Sequence, residues 1–222
     1  MPIMKMIDDL KNKYKGQDIY VLASGSSMNF ISKDFFDNKI TVGINRTCNY
    51  FNCKYTVTKD GEGFDLIFKN SLNKNNQVVI SKYKYGTTAS GLNKIVKGAI
   101  YFNHFDKPGQ RPQHGRISKD VNSLVVSHST VTSGIHFAAF LGAKNIILCG
   151  HDCGSINGDS VIKGYYSEIK PHQKTMQNYH NWLKSIKQDT INVTNKISKE
   201  YGCNIYSINP FLFFDLNGNK YT

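Results

Sequence analysis

The sequence predicts one α/β domain built on a mostly parallel sheet flanked by helices, and three observations predict it. Short apolar runs recur at Asp18–Ala23, Lys39–Ile44, Lys54–Thr58 and Asn145–Cys149, each about the length of a buried strand. Each run ends in small or polar residues: Ser24-Gly25-Ser26-Ser27, Asn45, Lys59-Asp60-Gly61 and Gly150-His151-Asp152. Stretches of helical spacing or helix-start chemistry alternate with these runs, the pattern of layered α/β domains. In open parallel sheets, ligands bind outside the carboxyl ends of the strands where the strand order reverses. The expected arrangement is therefore Rossmann-like, with a nucleotide crevice at the edge where Ser24, Asn45 and Asp60 converge.

Taken in order, residues 1–16 read as a leading helix, with Ile3, Met6, Ile7 and Leu10 on one face and Gly16 closing it. Asp18–Ala23 is the first strand, followed by a small-residue loop and a helix start at Met28, Phe30 and Ile31. Gln77–Ser81 and Ala99–Phe102 add short strands. Residues 103–120 carry Pro, Gly, His and two arginines, and read as a long loop, a candidate lid. Gly134–Leu141 forms a buried helix whose start is crowded by Ser129, Thr130, Thr132 and Ser133. Asn145–Cys149 is the clearest strand. Tyr179, Trp182, Leu183, Ile186, Thr190, Val193 and Ile197 then recur at three- and four-residue steps, which predicts a long amphipathic helix over 173–200 with Gly202 as its C-cap. Asn204–Ile208 is a last strand, and residues 215–222 form a peripheral tail. No repeat or linker divides the 222 residues, so a single domain is expected.

The formal net charge is +12, yet only Arg46, Arg111 and Arg116 are arginines. Nucleic-acid grooves draw on clustered Lys and Arg, because guanidinium forks read phosphates and bases. Scattered lysines therefore disfavour a dedicated nucleic-acid role, and anionic small substrates fit as well. Five cysteines, an odd number, without a zinc spacing point to free thiols in a reducing compartment and to no structural metal. No apolar run reaches the roughly 20 residues of a membrane span, and the start lacks a signal peptide's apolar core. The expectation is a soluble cytoplasmic protein.

Each motif has a plainer alternative. Ser24-Gly25-Ser26-Ser27 suits an anion, because small residues let backbone N–H groups approach it at a helix start. A simple strand-to-helix turn needs the same residues. Thr132-Ser133-Gly134 serves equally as an N-cap. Asp152, emerging at the same edge beside Gly150, has the chemistry to bind a hydroxyl, orient a base or hold a metal-bound phosphate. Asp60 divides in the same way between capping a turn and holding a ribose or Mg²⁺. Among the seven histidines, His151 and His172 are the candidate general bases, with Asp152 as their partner in the catalytic set. Arg111 and Arg116 would compensate a diphosphate or a sugar carboxylate if the candidate lid folds over the crevice.

Together, Ala23–Ser27, Val42-Gly43-Ile44-Asn45, Val57-Thr58-Lys59-Asp60, Thr132-Ser133-Gly134 and Gly150-His151-Asp152 resemble a known superfamily. It contains bacterial CMP-sialic acid sialyltransferases, flagellin-modifying motility accessory factors and 6-hydroxymethylpterin diphosphokinases. The resemblance covers most of residues 18–210 through short, degenerate motifs. It implies a cytidine nucleotide held by Ser24, Gly25, Ser27 and Asn45, with the T-S-G helix start and the Gly150–Asp152 tip lining the same site. It also implies Tyr165 and Tyr166 as counterparts of phosphate-binding tyrosines. Ser185 stands where those sialyltransferases carry their helix histidine, so the chain departs from the pattern at the chemical step. The diphosphokinase branch resembles the chain through Asp60 and Gly150-His151-Asp152-Cys153-Gly154, and implies ATP with Mg²⁺ held by Asp60 and Asp152.

The resulting expectation is a glycosyltransferase, with a nucleotide-activated sugar such as a CMP-nonulosonic acid as donor and a glycan or other small molecule as acceptor. It requires no cofactor. Two alternatives stand beside it: a Mg²⁺-dependent diphosphokinase acting on a pterin-like alcohol, and a non-catalytic nucleotide- or polyanion-binding protein.

Overall fold

The computed structural model describes residues 5–59, 67, 69–81, 98–103, 117–119, 123–156, 159–165 and 173–208, with the backbone alone for 173–182 and 184. Among these, the strands are β1 Lys5–Met6, β2 Asp18–Leu22, β3 Ile40–Ile44, β4 Tyr55–Thr58, β5 Gln77–Ser81, β6 Ile100–Phe102, β7 Asn145–Cys149 and β8 Asn204–Ser207. They form one sheet in the order β1-β6-β5-β4-β3-β2-β7-β8. Every described pairing in it is parallel. The helices α1, Thr130–Phe140, and α2, Gln173–Tyr201, complete a Rossmann-like α/β fold.

Parallel strands must be covered on both faces, since crossover connections lie over them. One face meets α1, which packs on β2, β3, β4 and β7, while α2 packs on α1. All of α1 is buried, as its run of small and aromatic residues requires. The other face carries Met28, Phe36 and Cys48, supplied by short 3-10 turns between the strands, together with Phe51, Cys53 and Ile67. From β2 the strand order steps outward to β6 on one side and jumps to β7 on the other. The switch point therefore lies between β2 and β7.

Two expectations are corrected here. Residues 5–16 are not the expected helix: Lys5–Met6 is the strand β1, and a four-residue 3-10 helix, Ile7–Leu10, is followed by turns. The N–H groups of Asn12, Tyr14 and Gly16 instead donate to the carbonyls of Phe140, Leu141 and Gly142 at 3.0, 2.8 and 2.9 Å. These are orphan acceptors at the end of α1, and satisfying them outweighs the leader's own helical spacing. Likewise the helix expected after the Ser24–Ser27 loop is a five-residue 3-10 turn, Ser26–Phe30. α1 also begins at Thr130, one turn earlier than expected, with Ser129 as N-cap: its Oγ accepts the Val131 N–H at 3.2 Å. All five cysteines are free thiols.

Candidate functional site

At the switch point the ends of β2 and β7 remain joined beyond the strands. Ala23 N–H donates to Cys149 O at 2.8 Å and Gly25 N–H to Gly150 O at 2.7 Å. Only glycine fits on either side of this seam. A Cβ on Gly25 would stand 2.4 Å from Gly150 O and 2.5 Å from Asp152 Oδ2. Gly150 has a φ of +70°, and its Cβ would meet Ala23 O at 2.7 Å.

Asp152, 3% exposed, closes the seam. Its carboxylate accepts the Ser27 N–H at 2.7 Å and the Ser27 hydroxyl at 2.6 Å, with the Ser26 hydroxyl at 3.5 Å. An anion seated on this loop would need those same donors. The chain thus answers its own anion-binding loop with a side-chain carboxylate, and the 3-10 turn behind it lacks the length for a helix macrodipole. The segment after the tip roofs the loop: Ile162 N–H donates to Ser24 O at 2.8 Å and Lys163 N–H to Asn29 Oδ1 at 2.9 Å.

The tips of β3 and β4 are arranged differently. Asn45 follows β3 with a φ of +51°, a left-handed conformation that asparagine tolerates better than most residues. Its Oδ1 is buried without a hydrogen-bond partner among the described residues, a rare state for a buried acceptor. Arg46 is buried, its guanidinium carbon 4.6 Å from the ring centre of Tyr165. Tyr165 in turn stacks on Tyr50 at 5.9 Å, and the Tyr50 hydroxyl donates to Gly164 O at 2.7 Å. Beyond β4, Lys59 Nζ donates to Ser127 O at 2.5 Å. The next N–H, that of His128, donates to Asp189 Oδ2 at 3.2 Å.

The T-S-G triplet lies inside α1, engaged in holding the helix. Thr132 donates to Ser129 O at 2.7 Å and so accepts from the Ser127 hydroxyl, also at 2.7 Å; Ser133 donates to Val125 O at 2.7 Å. Gly134 lets α1 lie on the sheet, since a Cβ there would be 2.3 Å from Ile44 Cδ1. His151 is buried. Thr190 donates its hydroxyl proton to Ile186 O at 3.0 Å, so His151 Nε2 is the donor in their 2.8 Å contact. Burial pulls its pKa down to about 4, with Asp152 opposing. That places His151 as a link between the β7 tip and α2, away from solvent. His136 is a second such link: Nδ1 accepts the Val125 N–H at 2.9 Å, Nε2 faces Tyr201 Oη at 2.9 Å, and burial pulls its pKa to about 3.

The structure therefore brings Ser24, Gly25, Ser26, Ser27, Gly150 and Asp152 into one seam, and Tyr165 into the roof over Arg46. Asn45 stands at the tip of the neighbouring strand. Asp60, Arg111, Arg116, Tyr166 and His172 lie outside the described residues, as does nearly all of the candidate lid. Three groups at this edge escape a motif reading: Arg46, His128 and Asp189. Asp189 left a signal, because it sits three residues after Ile186 and four before Val193, on the apolar stripe of α2, and is 4% exposed. Among the described residues no three His, Cys, Asp or Glu side chains converge, and no helix is long and apolar enough to cross a membrane.

No family model and no curated protein matches the chain. A solved structure described as a MAf glycosyltransferase from Magnetospirillum magneticum is similar over 67% of this chain, at 11% identity and a TM-score of 0.48. The match spans 25% of that protein's length. The fold assignment rests on the strand order and the parallel pairings themselves.

Proposed function

We propose that the chain is a glycosyltransferase that takes a nucleotide-activated sugar at the carboxyl edge of its sheet, beside the switch point. The observation that carries this reading is Asn45. An amide oxygen buried without a partner costs roughly 1–3 kcal/mol, and it sits on a left-handed backbone that few residues besides glycine and asparagine adopt. Such a group at a strand tip in an α/β sheet is held for a ligand donor, such as a base amino group or a ribose hydroxyl. The motif resemblance in Val42–Asn45 supports a cytidine nucleotide as that ligand, with a CMP-linked sugar as donor and a glycan or other hydroxyl compound as acceptor.

Thermal-shift measurements with CMP, CDP, UDP, GDP and ATP, each with and without Mg²⁺, test the reading, because ligand binding to the native state raises the midpoint by mass action. CMP alone should stabilise the wild type and leave Asn45→Ala unmoved. Stabilisation by ATP only with Mg²⁺ would favour the diphosphokinase alternative, which rests on Asp60 and Asp152. No response to any nucleotide would overturn both.

A further inference from the structure

Sugar transfer needs a group that takes the acceptor's proton, and the described histidines divide sharply. His136 and His151 are buried, with ring nitrogens committed to Val125, Tyr201 and Thr190. His128 is exposed. Its position follows from α1, which runs against the strands: its last carbonyls meet the leader before β2, so its start lies at the carboxyl edge. Gly134 packs on Ile44, the last residue of β3. Ser127, the residue before His128, accepts from Lys59 just past the end of β4, so His128 stands at the carboxyl edge of the sheet.

The backbone around His128 is held from three sides. Lys59 at the β4 tip takes Ser127 O, buried Asp189 of α2 takes the His128 N–H, and Ser129 caps α1. Asp189, 4% exposed on α2, thus holds the main chain of an exposed residue at the carboxyl edge.

Resting on the sugar-transfer reading, we propose that His128 is the general base of the reaction and that Asp189 is its positioning residue. The acceptor hydroxyl passes its proton to the His128 ring as its oxygen bonds to the anomeric carbon. The bond from that carbon to the phosphate oxygen breaks, and the electron pair leaves with the nucleotide.

The test is nucleotide release from CMP-N-acetylneuraminic acid, UDP-N-acetylglucosamine, UDP-glucose and GDP-mannose, with water as acceptor, by the full chain and its variants. On the donor that the wild type hydrolyses, His128→Asn should lower kcat at least about 100-fold, keep KM within threefold, and remove the acidic limb of the pH profile. Asp189→Ala should lower kcat about tenfold, with Asp189→Asn restoring most of it because its amide oxygen still accepts the His128 N–H. A His128→Asn kcat within threefold of wild type would overturn the proposal and leave the sugar-transfer reading intact. Release from none of the four donors by the wild type would overturn both.

Discussion

The two halves of the carboxyl edge use their polar groups in opposite ways. At the β2–β7 seam, donors and acceptors answer one another: Gly25 with Gly150, and Ser27 with Asp152. At the tips of β3 and β4, an amide oxygen has no partner among the described residues and His128 is exposed. A loop rich in small residues is thus no guide to where a ligand sits if a neighbouring carboxylate already fills it. The informative feature is a polar group that is held in place and left unsatisfied.

The sharpest way to break this contrast is at the seam. Gly25→Val should cost about 3 kcal/mol or more, since its Cβ meets main-chain oxygen and overpacking has no room to relax. Urea unfolding reads this as a lower midpoint at unchanged slope. Asp152→Ala should cost about 2 kcal/mol by leaving the Ser27 N–H without its acceptor. If either variant matched the wild type, the seam would not be the rigid half of the edge.

Acid should act on the buried links on both sides. His136 and His151 have folded pKa values near 3 and 4, below an unfolded value of about 6.5. Their neutral forms therefore contribute full stability above pH 6.5, and this is lost as pH falls from there toward about 4 for His151 and about 3 for His136, a range in which the unfolded chain binds more protons. At pH 5 each should have lost about 2 kcal/mol. Urea unfolding at pH 7 and pH 5 measures the slope, and His151→Gln should flatten it by about half.

The smallest stability effect should come from Asn45. Alanine there removes an unsatisfied oxygen and adds left-handed strain, two terms of opposite sign, so stability should stay within about 1 kcal/mol of wild type. Asn45→Gly should be equal or slightly more stable. A large loss in either variant, seen by the same urea unfolding, would mean that Asn45 holds the fold rather than a ligand.

Except for β1, which the leader's spacing reads as helix, the strands were legible because a buried parallel strand is a short continuous apolar run: Gln77–Ser81 and Asn145–Cys149 match to the residue, and β2, β3, β4, β6 and β8 within one. The long helix was legible from its period, ending at Tyr201 where Gly202 follows. What sequence reasoning could not supply was competition between distant groups. The leader's apolar spacing suits a helix until the end of α1 offers it carbonyls 128 residues away in sequence, from Asn12 to Phe140. The same limit governs the site.

Local chemistry and periodicity determined the fold class, the polar strand tips and the presence of Asn45 among them, because these depend on neighbours in the chain. Only tertiary structure decided that Asp152 would fill the Ser24–Ser27 loop, that His151 would be sealed beneath α2, and that Asp189 would reach His128. Each of those outcomes turns on which of several capable partners arrives within about 3 Å, and long-range packing alone sets that distance.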